Sequence, residues 1–220
     1  MHFPEFANQD RLRGYSVYMR NAPGVLFVSV AFLAVFTLTA QTAGDGPQFT
    51  ADGQLTLPKD YRQWVFLSSG LGMTYGPAAS ADPANSRFDN VFVNPSSYRS
   101  FIETGHWPDK TMFILEVRAA TGQGSINNAG HYQSDIVAIE AEVKDEKRFP
   151  QKFAYFGFGG KDKATALAAT SSCNTCHGQN AAVENTFVQF YPTLLEVAKA
   201  RGTLNAAFVE KNAAGTPAGH

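Results

Sequence analysis

The chain has 220 residues, 44% of them hydrophobic, and 18 Lys and Arg against 19 Asp and Glu give a formal net charge of −1. That suits one ordinary domain with a true core, and the lack of a basic excess argues against nucleic acid as a partner. Eighteen Phe against two Trp point to an aromatic-rich interior.

Gly24–Thr39 is an uncharged apolar run of 16 residues, followed by the small-residue stretch Ala40-Gln41-Thr42-Ala43-Gly44. A membrane-spanning helix needs about 20 apolar residues, so the run fits the core of a secretory signal better. Residues 1–43 are therefore read as an N-terminal signal sequence. The polar stretch from His2 to Tyr18 includes Glu5 and Asp10, which makes Met19-Arg20-Asn21 the better natural start. An uncleaved membrane anchor is the competing reading. Both send the domain to the bacterial periplasm, free in one case and tethered in the other.

Residues 44–54, rich in Gly, Pro and Asp, read as a linker, 55–204 as the folded domain and 205–220 as a disordered tail. Asp60 is placed to cap a short helix or strand opening at Tyr61–Phe66. Gly70–Ser86 reads as loop and Asn90–Val93 as a short strand. Ser96–Ile102 reads as a capped helix that stops at Gly105. Thr111–Val117, Ile136–Val143 and Phe153–Phe158 read as strands, with a Gly/Asn loop from Gly122 to Gly130. Ala164–Ala169 and Ala181–Ala200 are Ala-rich and read as helical. The expected class is α+β, mostly antiparallel sheet with flanking helices, the C-terminal helical segment carrying the chemistry.

That chemistry lies in Cys173-Asn174-Thr175-Cys176-His177, which holds both cysteines of the chain. Cys-x-x-Cys-His is the attachment motif of haem c: each thiol adds to one vinyl group, and the adjacent histidine supplies the axial imidazole. A thioredoxin-like pair would want a βα context near the start of the chain, and a zinc site would need a second ligand pair at metal spacing. The expectation is one covalent haem c, attached through Cys173 and Cys176, with His177 on the iron. A small electron-transfer cytochrome would add a downstream Met, yet Met1, Met19, Met73 and Met112 all lie upstream. A four-helix cytochrome c-prime would need four long amphipathic repeats, which the strand-like first half lacks. His106, His131, Met73 and Met112 are the remaining candidates for a sixth ligand, none with supporting context.

Several stretches together resemble the cytochrome P-460 family, which includes the β-sheet cytochromes c-prime-beta. They are Leu57–Trp64 (LPKDYRQW), Val91–Tyr98 (VFVNPSSY), Thr104–Thr111 (TGHWPDKT), Glu140–Asp145 (EAEVKD), Cys173–His177 (CNTCH) and Phe187–Pro192 (FVQFYP). The resemblance implies a homodimer of mostly antiparallel β-fold with one five-coordinate haem per chain. Members that oxidise hydroxylamine cross-link a strand lysine to the haem; that position aligns with Leu115, which has no nucleophilic nitrogen. Their distal arginine aligns with Asp89, with Arg87 two residues away, and their proton-accepting carboxylate aligns with Glu140.

Two readings of Glu140 stand side by side. Val137, Ile139, Ala141 and Val143 share one strand face, so Glu140 and Glu142 share the other, which is either solvated or turned toward the haem. In an apolar pocket the carboxyl would be raised and suited to proton transfer. Leu115 shares a face with Phe113 and Val117 and reads as core packing that also caps the iron. Such a cap favours small neutral ligands such as NO or CO. The expected function is binding of a small gas. The alternatives are hydroxylamine oxidation, with electrons passed to a partner cytochrome, and simple electron transfer.

Overall fold

The structure, a computed structural model, describes residues 44–75, 86–122 and 124–213. The expected signal sequence and the start at Met19 lie outside the described residues.

Two antiparallel sheets form the frame. The small one joins β1 (Gln48–Phe49), β2 (Leu55–Thr56) and β8 (Lys163–Ala164) in the order β1-β2-β8, so residues 44–54, read as a linker, contribute a strand. The large one runs β3 (Val65–Leu71), β4 (Arg87–Val93), β5 (Met112–Thr121), β6 (Tyr132–Lys144), β7 (Phe153–Gly157), each strand paired with the next in sequence. Antiparallel neighbours can be joined directly, as by the Gly-rich stretch between β5 and β6, or through a helix, as between β4 and β5. Asp60 precedes a 3-10 turn, Tyr61–Gln63, without capping it through its side chain.

β5 is apolar at nearly every position of Met112–Val117 because both faces of the sheet are covered. One face carries Met112 and Ile114 into a cluster with Leu55, Tyr61, Trp64, Val143 and Phe156. The other carries Phe113 into a cluster with Val93, Phe101, Trp107, Val188 and Leu194. Burial of these side chains contributes about 1.5–3 kcal/mol each for the larger ones.

Among the described residues, four helices complete the fold: α1 (Pro95–Thr104), α2 (Ser172–Asn180), α3 (Pro192–Arg201) and α4 (Ala206–Ala213). Pro95 and Pro192 start their helices, where the missing N–H costs nothing. Gly105 ends α1 at φ +76°, and a Cβ there would stand 2.8 Å from the Arg201 Cβ, so the turn also needs glycine for close approach to α3. The α+β class with antiparallel strands and flanking helices agrees with the sequence reading.

Three local readings change in the C-terminal part. Ala164–Ala169 is not helical: Ala164 pairs with Leu55 and Ala166 bridges Phe156, because strand edges take backbone partners that outweigh a weak helix propensity. Ala181–Ala200 is helical only from Pro192; Ala181 is extended and ends α2, and a 3-10 turn, Val188–Phe190, intervenes. Beyond residue 204, where the reading placed a tail, Ala206–Ala213 forms α4.

Candidate haem site

The helix α2 gives the Cys-x-x-Cys-His motif its geometry. Cys176 and His177 lie three and four residues after Cys173, so all three side chains share one helix face. That face borders a cavity of about 410 Å³. Both cysteines are free thiols and half-buried, and the Cys173 thiol is pushed up by burial and by the charge of Glu140.

His177 is held from two directions. Its Nδ1 lies 2.7 Å from the Asn185 carbonyl oxygen, and its ring packs between Tyr155 at 4.5 Å and Phe187 at 4.2 Å between centroids. A carbonyl accepts only, so Nδ1 carries the proton and Nε2 keeps its lone pair. Burial lowers the imidazole below its usual value despite that bond, which favours the neutral ring a metal requires.

The opposite wall is the inner face of the large sheet. Across it runs one register row, Ser68 opposite Val91, then Leu115, then Glu140, then Gly157. The first four line the cavity with their side chains, and the row ends at a glycine. One row over, Asp89 lies opposite Gly70 and also lines the cavity. Met73 fills the space that Gly70 leaves, since a Cβ on Gly70 would fall 2.2 Å from the Met73 sulfur.

Among the described residues, the carboxylates of this wall are short of donors. Burial raises Glu140; burial and the neighbouring Glu140 raise Asp89 against a weaker pull from Arg87. Glu142 is buried one pair along β6, with its carboxyl raised well above the usual range by burial, and accepts the Tyr155 hydroxyl at 3.4 Å. The Tyr75 hydroxyl is pushed up to about 12 by burial and by Asp89. A plainly solvated Glu140–Glu142 face is thus overturned at Glu142. Glu140 itself is exposed where it borders the cavity.

The structure brings Cys173, Cys176, His177, Leu115 and Glu140 to one cavity. Arg87 is exposed at the start of β4, and its neighbour Asp89 lines the cavity instead. Among the sixth-ligand candidates, Met73 lines the cavity, while Met112 is buried on the other face of the sheet and His106 pairs with Glu184 on an exposed edge. The sequence reading missed the Asn185 carbonyl, for which a backbone group leaves no residue signal. It also missed Tyr155, legible only once β7 is placed beside β6.

A family model described as Cytochrome P460 matches residues 58–188, more than half of the chain. The chain belongs to the cytochrome P460 family. It is therefore a haem-binding cytochrome of that family, and the site fits such a group. Paired thiols, a neutral imidazole with Nε2 free and a mostly apolar cavity wall are the donor set and surroundings a haem requires. No curated protein gave a significant match to the chain.

Proposed function

We propose that this P460-family chain is an exported mono-haem c-type cytochrome that binds a small gas, NO foremost, at a five-coordinate iron. Each thiol of Cys173 and Cys176 adds its S–H across one haem vinyl group, and His177 is the proximal ligand through Nε2. The observation that carries this reading is the 2.7 Å contact between His177 Nδ1 and the Asn185 carbonyl, which fixes the tautomer with Nε2 open. When bound, the haem would supply an iron able to take a diatomic ligand.

The chain's own residues then set what reaches that position. Leu115 and Val91 present an apolar wall opposite the motif helix, which disfavours charged ligands. The resemblance makes a homodimer part of the proposal, and the apolar run Gly24–Thr39 makes a periplasmic location part of it.

The test is optical. Purified ferrous protein should show an ordinary c-type Soret band with a five-coordinate spectrum and bind NO stoichiometrically; a strongly red-shifted band would mean a cross-linked haem and overturn the role given to Leu115. Six-coordinate spectra in both oxidation states would favour an electron carrier, with Met73 as the ligand to test by Met73→Ala.

A second reading, oxidation of hydroxylamine, is favoured by Glu140, a raised carboxyl at the cavity able to take a proton. The electrons would pass to a partner cytochrome. Multiple turnovers with hydroxylamine and an artificial acceptor, lost in Glu140→Gln, would support it; a single turnover at most would exclude it.

A further inference from the structure

The peptide carbonyl that holds His177 is itself held from several sides. Asn185 lies between Glu184 and Thr186, and both neighbours are tied down by side chains remote in sequence. Glu184 takes φ +51°, a left-handed conformation that a non-glycine residue keeps only under external constraint. The constraint is visible. Buried Lys144 donates to Glu184 Oε2 at 2.8 Å and to the Trp107 carbonyl at 2.6 Å, and the Trp107 N–H donates to Glu184 Oε1 at 3.3 Å. Asn205 brackets the Glu184 backbone, with Nδ2 donating to its carbonyl at 2.8 Å and Oδ1 accepting its N–H at 3.1 Å. The indole Nε1 of Trp107 donates to Thr186 Oγ1 at 2.7 Å.

A rival acceptor stands next to the ring. Glu142 Oε2 is 3.5 Å from the same Nδ1 that the Asn185 carbonyl meets at 2.7 Å. The two acceptors have different consequences. A peptide carbonyl leaves the imidazole neutral, whereas Glu142 brought against the Nδ1–H gains a donor that favours its carboxylate form, draws on the proton and makes the ring a stronger donor to a metal.

We propose that Lys144, Glu184 and Asn205 form a clamp that keeps the Asn185 carbonyl, and not Glu142, as the hydrogen-bond partner of His177, so setting the strength of the axial ligand. These are positioning residues. The inference rests on the reading of His177 as the proximal ligand.

The experiment uses full-length haem-loaded protein and two readouts, the iron–histidine stretching frequency of the ferrous form and the midpoint potential. Lys144→Met and Glu184→Gln should each raise the frequency and lower the potential, while Lys144→Arg stays close to wild type. Adding Glu142→Gln to Lys144→Met should return both readouts toward wild type. Unchanged frequency and potential in haem-loaded Lys144→Met and Glu184→Gln would overturn the clamp. So would variants that no longer fold, since the network would then serve folding alone. A wild-type protein without an iron–histidine stretch would instead overturn the proximal reading, which keeps the two failures apart.

Discussion

Glu116 and Glu142 are buried on adjacent strands of one sheet, on its opposite faces, and they titrate in opposite directions. Burial pushes Glu116 up, but donors from Arg118, Tyr61 and Arg62 outweigh it and hold the carboxyl below its usual range. Burial pushes Glu142 up with only a long bond from Tyr155 against it. The same contrast extends to whole faces. The outer face is a closed core whose buried carboxylate, Glu116, is fully matched; the inner face keeps a cavity and three raised carboxyls, Asp89, Glu140 and Glu142. A fold selected only for stability would close or match both, and carboxyls with few donors among the described residues, set beside a cavity, are where the proposed ligand chemistry is placed.

Four substitutions sharpen this division, beginning with the most disruptive. Replacing both Cys173 and Cys176 with Ala should abolish covalently retained haem altogether, read as loss of haem stain on a denaturing gel; retained stain would break the assignment of α2. Ile114→Ala, on the closed face, should cost about 3 kcal/mol by denaturant unfolding and leave the haem spectrum unchanged. A shifted Soret band in that variant would show the faces to be coupled. Leu115→Ala, its neighbour facing the cavity, is half-buried and should cost only about 1 kcal/mol. Its larger effect should be on the rate of NO binding, measured by stopped flow.

The smallest effect is a pH dependence. Burial raises Glu140 above its usual 4.5, so the folded chain keeps a proton that the unfolded chain has lost. Stability therefore falls as pH climbs from about 4.5 through the raised value. Glu140→Gln should flatten that decline across the window and leave stability below it unchanged, as urea titrations at a series of pH values would show. An unaltered slope would place the titration elsewhere on the cavity face.

Much of the frame was legible because its signals are local. The apolar runs at Met112–Val117 and Ile136–Val143 mark strands whichever partner they find, and Asn94-Pro95 with Gly105 brackets α1 by backbone chemistry alone. The Ala-rich stretches misled because alanine prefers helix only weakly, and pairing of Ala164 with Leu55 decides the matter from outside the segment. At the site, alternation along β6 put Glu140 and Glu142 on one face, but it carries no information about what covers that face.

By itself the sequence determined the Cys-x-x-Cys-His motif and its common face, because Cys173, Cys176 and His177 lie within one helical turn and a half and need no distant residue to share a face. Only the tertiary structure decided how His177 is oriented and what stands across from it. The Asn185 carbonyl reaches the ring through a loop fixed by Lys144, Trp107 and Asn205, and the row Ser68, Val91, Leu115, Glu140 exists only as the register of neighbouring strands. Backbone acceptors and cross-strand rows are properties of chain placement, and residue types along the sequence do not encode them one position at a time.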